Sequence, residues 1–273
     1  GREIEGHLSW SYIVWHSRVP QMLTATFCGA ALATCGLLLQ TAFRNPLAGP
    51  SILGIDSGAS LGVAVAMMLF GGSITMGNLS LGGYVFPILA ALAGAVGIMV
   101  LLSVLNAMLR STVMLLITGV IISYITGSLI SLLQFWASHD GLQAYVLWGM
   151  GNFSSVSTER LPVFIGLVSI GLVMALLMMK PLDALLLGDR YAQNLGVDTT
   201  RTRHTLLLAT GLLSAITTAF CGPISFIGLA TPHMARFISP SGSHRSLLPQ
   251  TMALGASIAL LCNLLCNLPQ SSV

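Results

Sequence analysis

Hydrophobic residues cluster in segments about as long as the ~20 residues that an α-helix needs to cross the hydrocarbon core of a bilayer. The long segments cover residues 19–43, 51–70, 83–109, 112–137, 161–179, 205–224 and 247–268, and a shorter one covers residues 225–238. The short polar loops between them carry turn-forming dipeptides: Asn45-Pro46, Gly71-Gly72, Gly77-Asn78, Lys180-Pro181 and Ser239-Pro240. The pattern predicts an all-α, polytopic transmembrane helical bundle in which residues 1–273 form a single domain.

The composition favours a surface that faces lipid. Of the 273 residues, 55% are hydrophobic and 7% are charged, whereas roughly a quarter of the residues in a soluble domain are charged. The net charge is only +3, and no block of basic residues forms a patch. The sequence therefore excludes an ordinary water-soluble globule and gives no reason to expect a nucleic acid as partner.

Lys and Arg are unevenly distributed when the loops are assigned alternately to the two sides of a membrane. One side collects Arg44, Arg110, Lys180, Arg190, Arg201, Arg203, Arg236 and Arg245. The other side collects Arg2, Arg18 and Arg160. Because cytoplasmic loops are enriched in Lys and Arg, we expect residues 1–18 on the outer side and residues 180–204 on the cytoplasmic side.

Both ends of the chain suggest further helices. Residues 1–18 contain no apolar stretch that could serve as a signal peptide, and residues 268–273 stop on the outer side just beyond a helix. We therefore expect one more helix before this chain and one after it, so that the chain would be a fragment.

Catalytic motifs are missing from the sequence. The single lysine, Lys180, does not lie in a phosphate-binding loop, and no GxSxG or HExxH spacing occurs. We predict no catalytic residues and no ATP hydrolysis on this chain.

The sulfur-containing residues are interpreted as hydrophobic packing. Cys28, Cys35, Cys221, Cys262 and Cys266 lie in apolar runs without a CxxC pair. Cys262 and Cys266 share a helix face, so a soft-metal site is the alternative, but no His or second pair accompanies them. The 13 methionines are read as core filling rather than as haem or copper ligands. No metal site is predicted.

Asp56 is the one ionisable residue that lies clearly within a predicted span. It can stabilise the first turn of its helix through the helix dipole, or it can line a translocation path. Small residues nearby recur at helical spacing: Gly54, Gly58 and Gly62, and then Ala90 and Gly94. Such residues allow helix backbones to approach closely in a membrane, although glycine is also simply common in membrane helices.

The 180–204 segment is the longest charged stretch between two spans. Its apolar residues Leu185, Leu186, Leu187, Ala192 and Leu195 alternate with Asp189, Arg190, Gln193 and Asn194. The pattern, bounded by Gly188 and Gly196, predicts short amphipathic helices that contact a protein partner or the membrane surface. A merely solvated loop is the alternative.

A series of short motifs runs through nearly the whole chain. The motifs are RVP at 18–20, GAALA at 29–33, RNPLA at 44–48, LG at 53–54, SGA at 57–59, LGD at 187–189, LGV at 195–197, GPI at 222–224, FIGL at 226–229, PHMAR at 232–236 and LLP at 247–249. Together they resemble the permeases of type II ABC importers, which carry iron–siderophore complexes, haem and vitamin B12. That family has ten membrane helices per subunit, and this chain resembles the second through ninth.

The resemblance implies a homodimer in the inner membrane, with two ABC ATPase subunits docked below it and a periplasmic substrate-binding protein above it. ATP and Mg would be bound by the ATPase, and no cofactor by this chain. The resemblance also assigns residues to ATPase coupling: Gly188, Asp189, Arg190, Ala192, Leu195 and Gly196. Gly188 and Gly196 would end helices, and Asp189 and Arg190 would face the ATPase.

On the outer side, Arg18 matches a position that docks the binding protein, with a snorkelling interfacial arginine as the alternative. A periplasmic gate is expected near residues 140–152. The residues assigned to the gate or the translocation path are Asp56, Trp148, Gly149, Gly151 and Pro223.

The cargo implied by the resemblance is an iron chelate, either a siderophore complex or haem, with cobalamin as the alternative. A secondary carrier that works without an ATPase, and a truncated, non-transporting remnant, are the alternatives of other classes. A carrier would need several buried ionisable groups, which this sequence does not offer.

Overall fold

The computed structural model describes residues 11–71, 74–76, 79–81, 85–109, 112–239 and 242–267. The predicted turn at Gly77-Asn78 and the loop residues Gly72, Arg110 and Pro240 lie outside the described residues. The all-α transmembrane bundle predicted from the hydrophobic pattern is confirmed.

The main helices follow the predicted spans. They are α1 (Val19–Phe43), α2 (Ile55–Ala64), α3 (Val85–Leu109), α4 (Thr112–Trp136), α5 (His139–Gly149), α6 (Leu161–Leu177), α7 (Met179–Leu187), α8 (Asp189–Asn194), α9 (Thr199–Cys221), α10 (Ile227–Ile238) and α11 (His244–Cys266). Turns of π-helix at Val14–Arg18 and Val65–Leu69 precede α1 and extend α2, and 3₁₀ turns occur at Pro50–Leu53 and Phe153–Ser155. Strands β1 (Ile74–Met76) and β2 (Leu79–Leu81) form an antiparallel hairpin that the apolar pattern did not predict.

Within the described residues, five helices are long and apolar enough to cross a membrane: Ser11–Phe43, Val85–Leu105, Val113–Trp136, Thr199–Cys221 and His244–Cys266. A sixth span results if α6 and α7, which meet at a bend of 49°, are counted together. Ile55–Leu69 is a shorter apolar helix, and α10 has 12 residues. The chain is thus a multi-pass membrane protein, and its predicted spans include two short helices.

Two helix boundaries differ from the sequence prediction for local reasons. The span predicted to begin at residue 51 forms a helix only from Ile55, because Pro50 starts a separate 3₁₀ turn that ends at the left-handed Gly54. The span predicted to begin at residue 205 starts at Thr199, because the Asp198 side chain accepts a hydrogen bond from the backbone N–H of Arg201. Residues 199–204 therefore extend a long helix instead of forming part of a surface loop.

Helix α1 lies at the centre of the bundle. It packs against α6, α9, α10 and α11, and its core residues include the fully buried Leu37, Leu38 and Leu39. Gly29 abuts the backbone of Gly255 in α11, and Gly36 abuts the backbone of Gly228 in α10. A helix that is apolar on all sides is expected to occupy such an interior position.

The small-residue ladder lies at the contact between α2 and α3. A Cβ at Gly58 would meet the carbonyl oxygen of Gly94 at 2.7 Å, and a Cβ at Gly62 would overlap the carbonyl of Ala90. Gly54 (φ 76°) adjoins Gly119 of α4 instead. The backbones therefore approach too closely for larger side chains, as expected where small residues bring membrane helices together.

Candidate functional site

The 180–204 segment contains two short helices that meet at Gly188. Helix α7 ends at Leu187, Gly188 has φ 118° and ψ 151°, and α8 begins at Asp189. Helix α8 ends before Gly196, which has φ 80°. Because positive φ at these angles is readily available only to glycine, the two glycines end the helices at the positions that the resemblance implied.

The apolar residues of this segment divide between two faces. Leu185 and Ala192 are buried against each other, together with Ala184 and the partly buried Val197. The side chains of Leu187, Tyr191 and Leu195 are 64%, 66% and 63% exposed. Ala192, assigned to the ATPase contact from the sequence, therefore lies inside the segment, whereas Tyr191, which the sequence reading passed over, is on its surface.

Asp189 faces its own chain. Nη2 of Arg203, in α9, donates to both carboxylate oxygens of Asp189 at 2.9 and 3.1 Å, and Nη2 of Arg44 lies 3.6 Å from Oδ1. Arg190 is exposed. Asp189 is also exposed, and its carboxylate joins α8 to α9; that both residues face the ATPase stays a prediction.

The end of α1 contacts the same segment. Arg44 adopts a left-handed conformation (φ 46°) directly after α1, and its Nη2 donates to the carbonyl oxygen of Leu185 at 2.8 Å. One turn earlier, the side chain of Gln40 donates to Leu229 O at 3.1 Å and accepts from Nη1 of Arg236 at 2.6 Å. The last turn of α1 is therefore joined to both α7 and α10.

Asp183 of α7 is held by the start of α11. Its Oδ1 accepts from the backbone N–H of His244 at 2.7 Å and lies 2.7 Å from the ring Nδ1 of His244. Its Oδ2 accepts from the hydroxyl of Ser243 at 2.9 Å. Burial raises the pKa of Asp183, but these hydrogen bonds outweigh it, so the pKa lies below its ordinary value. His244 lies in one of the strings that resemble the family, but the sequence assigned no role to His244 or Asp183, since 61 residues separate them and no local pattern relates them.

Four of the residues assigned to the gate or the translocation path, all except Asp56, lie near the end of α5. Helix α5 ends at Gly149, and Gly151 (φ 70°) lies against Pro223 and Ile224. The backbone N–H of Asn152 donates to Cys221 O at 2.7 Å. A Cβ at Gly222 would collide with the carbonyl oxygen of Trp148. The structure thus brings Trp148, Gly149 and Gly151 to the end of α9, next to Pro223.

Asp56 lies in the first turn of α2 and lines a cavity. Its Oδ1 accepts hydrogen bonds from the hydroxyls of Ser214 and Thr218 in α9, the latter at 3.0 Å. The cavity, of about 220 Å³, is also lined by Phe226, directly before α10, and by Leu229 in its first turn. Both sequence interpretations, the first-turn carboxylate and the lining of an internal space, are compatible with this position.

Arg18 lies at the other end of α1 and is engaged within the chain. Its Nη1 donates to the side-chain oxygen of Asn267 at 2.7 Å. It lines a cavity of about 600 Å³ between α1 and α11, together with Gln21 and Leu264. Arg18 therefore has an intramolecular partner in addition to any external one.

Among the described residues, no group of three or more His, Cys, Asp and Glu side chains is arranged to hold a metal ion. Cys28, Cys35 and Cys221 are buried, and Cys262 and Cys266 are exposed.

The model of the FecCD transport family matches residues 5–272. This chain belongs to the FecCD transport family. The permease family implied by the sequence motifs is thereby confirmed, and members of the FecCD family are transport permeases whose ATPase activity resides on separate subunits.

Two curated relatives match almost the whole FecCD-family chain. The Fe(3+) dicitrate transport system permease protein FecD of Escherichia coli K12 is 37% identical over 257 residues, which cover 94% of this chain and 77% of FecD. The vitamin B12 import system permease protein BtuC of Klebsiella pneumoniae is 34% identical over 259 residues, which cover 95% of this chain and 75% of BtuC.

Solved structures show the same fold. An inward-facing metal-chelate type ABC transporter superposes with a TM-score of 0.83 at 31% identity, over 92% of this chain and 77% of the other. PsaBC from Streptococcus pneumoniae superposes with a TM-score of 0.59 at 16% identity, over 90% of this chain and 79% of the other, and so shares the fold alone. The FecCD-family chain has the type II importer permease fold.

Proposed function

We propose that this chain is the membrane permease of an ATP-driven importer whose cargo is an iron chelate, either a siderophore complex or haem. The relatives support this class of cargo: FecD is named for ferric dicitrate, and the superposed transporter is of metal-chelate type. Cobalamin is the second candidate, because BtuC matches this chain nearly as well as FecD does.

The observation that carries the ATPase-coupled function is the exposed face of the 180–204 segment. Leu187, Tyr191 and Leu195 project from two short helices that are themselves fastened to α1, α9 and α11. Apolar side chains exposed on a segment that is fixed from behind are suited to a cleft on another protein. Movement of that protein would tilt the attached helices as rigid bodies.

The proposed assembly contains two copies of this chain, two ABC ATPase subunits and a periplasmic binding protein in the bacterial inner membrane. Residues 1–18 face the periplasm and residues 180–204 face the cytoplasm. ATP and Mg are bound by the ATPase subunits. The largely exposed α4, which carries Tyr124, Phe135 and Trp136 on its surface, offers an apolar face for the second copy or for lipid.

Reconstitution with the ATPase and the binding protein from the same transport system tests the function. We expect uptake of a ferric chelate or haem into proteoliposomes only when ATP is present on the ATPase side, with cyanocobalamin as the competing cargo. Equal uptake without ATP would identify a secondary carrier, and no uptake of any of these compounds under any condition would identify a remnant.

The Leu195→Asp variant tests the docking face. It places a charge on the exposed apolar surface, so we expect the ATPase to dissociate from detergent-solubilised permease about tenfold more readily, the scale of a lost interface residue worth more than 1 kcal/mol. The control is Glu159→Gln, which changes an exposed polar residue outside the segment. A second Leu→Asp change, at Leu208, cannot serve as control because it would place a charge in α9, which crosses the membrane. Retained ATPase binding in Leu195→Asp would contradict the assignment.

A further inference from the structure

Asp183 lies where three parts of the chain meet. It belongs to α7, it accepts hydrogen bonds from Ser243 and His244 at the start of α11, and it reaches α1 through His244. The second ring nitrogen of His244, Nε2, lies 2.8 Å from the Thr41 hydroxyl in the last turn of α1. Asp183, His244 and Thr41 therefore form one continuous chain of hydrogen bonds across three helices.

The chemistry of the three groups assigns a direction to these bonds when the His244 ring is neutral. The carboxylate of Asp183 is an acceptor, so Nδ1 of His244 donates to it, and Nε2 of the neutral ring accepts from the Thr41 hydroxyl. No other hydrogen bond of the Thr41 side chain occurs among the described residues. His244 is 1% exposed and Thr41 is 2% exposed, so water cannot replace the His244–Thr41 bond without rearrangement of the packing, whereas the side chain of Asp183 is 37% accessible.

The other attachments of the segment, Asp189 to Arg203 and Arg44 to Leu185 O, are more exposed than the His244–Thr41 bond. Asp189 binds Arg203 with side chains that are 50% and 23% accessible, and ion pairs open to solvent hold their partners only weakly. In α7, Asp183 lies four residues before the exposed Leu187, one turn along the same side of the helix. A displacement applied at Leu187 therefore reaches the hydrogen bonds of Asp183, and through His244 the buried hydroxyl of Thr41, by way of a single helical turn.

We infer that Asp183 and His244 are positioning residues that transmit movement of the 180–204 segment to the adjoining ends of α1 and α11. The inference rests on the proposed function, because the movement originates in a docked ATPase. In this arrangement the Asp189–Arg203 pair keeps α8 against α9, and the Asp183–His244–Thr41 chain makes α1 and α11 follow α7.

The test uses the reconstituted permease, ATPase and binding protein. Spin labels at Arg201→Cys in α9 and Arg245→Cys in α11, in a background of Cys262→Ser and Cys266→Ser, report the distance between the two helix ends by pulsed EPR. We expect ATP to change this distance in the parent protein. In Asp183→Asn we expect ATP hydrolysis to continue, the ATP-driven distance change to be lost, and cargo taken up per ATP to fall about tenfold, the effect of losing hydrogen bonds to a charged group.

Two further variants separate transmission from folding. Asp183→Glu restores the carboxylate and is expected to recover part of the uptake per ATP, which a purely structural defect in α7 would not explain. Thr41→Val keeps the shape of the buried residue but removes the hydroxyl, and it is expected to lower uptake per ATP less than Asp183→Asn does. Glu159→Gln, an exposed carboxylate-to-amide change, is the matched control and should behave as the parent.

The outcomes distinguish this inference from the proposed function. A parent complex that neither binds the ATPase nor takes up ferric chelate, haem or cyanocobalamin contradicts the proposed function itself. An active parent whose Asp183→Asn and Thr41→Val variants keep the distance change and the uptake per ATP overturns the inference alone. If Asp183→Asn does not assemble, the test rests on Thr41→Val. An uptake per ATP in Thr41→Val equal to that of the parent protein would then overturn the inference.

Discussion

Nη2 of Arg203 binds both carboxylate oxygens of Asp189, at 2.9 and 3.1 Å, and thereby ties the first residue of α8 to the first turns of α9. The contact crosses the tight turn at Gly196 and folds the short helix back onto the long one. The orientation of the exposed Tyr191 and Leu195 relative to the bundle depends on this contact.

Arg203→Ala should loosen α8 without unfolding the protein. An exposed ion pair contributes only about 0–1 kcal/mol, so the temperature of unfolding in detergent should change little. Hydrogen exchange of the backbone amides of residues 189–194 should accelerate several-fold, roughly the effect of losing up to 1 kcal/mol locally. Arg201→Ala in the same helix is the control, and equal acceleration in both variants would count against the role given to Arg203.

Gly94→Ala should destabilise the contact between α2 and α3. Its new Cβ would overlap the backbone of Gly58, and overpacking costs about 1–3 kcal/mol. Gly97→Ala, one turn further along α3, adds the same methyl group where, apart from the backbone of its own helix, no atom of the described residues lies within 4 Å. Gly94→Ala should unfold at a lower SDS concentration than the parent protein, and Gly97→Ala should not. Equal stability of the two variants would show that α2 and α3 can move apart to accommodate the methyl group without loss of stability.

Thr218→Val should weaken the attachment of α2 to α9. The change removes the hydroxyl that donates to Asp56 at 3.0 Å, and loss of a hydrogen bond to a carboxylate costs about 1.5–3 kcal/mol. Thr217→Val is the matched control, because the Thr217 hydroxyl bonds only to the carbonyls of its own helix. The SDS titration should separate the two variants, and a similar loss in both would mean that the Asp56 contact contributes nothing.

Gly222→Ala should disturb the contact between α5 and the end of α9. Gly222 has φ 78° and ψ 178°, and its Cβ would strike the carbonyl of Trp148; strain of this kind costs about 1–3 kcal/mol. The neighbouring Cys221, 1% exposed, should then react faster with a maleimide in the Cys262→Ser, Cys266→Ser background. Gly166→Ala adds a methyl group that, within the part of the chain that the structure describes, meets no atom outside its own helix backbone within 4 Å, so it should leave the rate unchanged.

The sequence predicted the parts of the fold that depend on local composition. Apolar length located the helices, and the glycine spacing at residues 54, 58 and 62 pointed to close packing, because both signals are contained within single segments. The motifs identified the family. Helix beginnings at Ile55 and Thr199 were missed, because a 3₁₀ turn at Pro50 and a cap at Asp198 override the hydrophobic pattern.

The candidate site was predicted less completely, because its contacts join distant residues. Gly188 and Gly196 were found from the pattern of the segment and from the family resemblance, and glycine at a helix end has a local cause. The pairing of Asp189 with Arg203 and of Asp183 with His244 depends on how α7, α8, α9 and α11 are placed in space. Tyr191 and Ala192 are adjacent in a six-residue helix, yet Tyr191 is exposed and Ala192 is buried, and the sequence pattern did not specify how this helix is oriented.

The break before α10 has a consequence for how this protein can be altered. Twelve residues of helix extend about 18 Å, little more than half of the ~30 Å of hydrocarbon, so the chain turns within the bundle at Gly222 and Phe226, both with positive φ. Main-chain groups, such as the N–H of Asn152 and the carbonyls of Cys221 and Leu229, supply the polar bonds at this turn. Side-chain substitutions leave these main-chain groups in place. Replacing individual peptide bonds by ester bonds would be needed to change the hydrogen bonds at this turn.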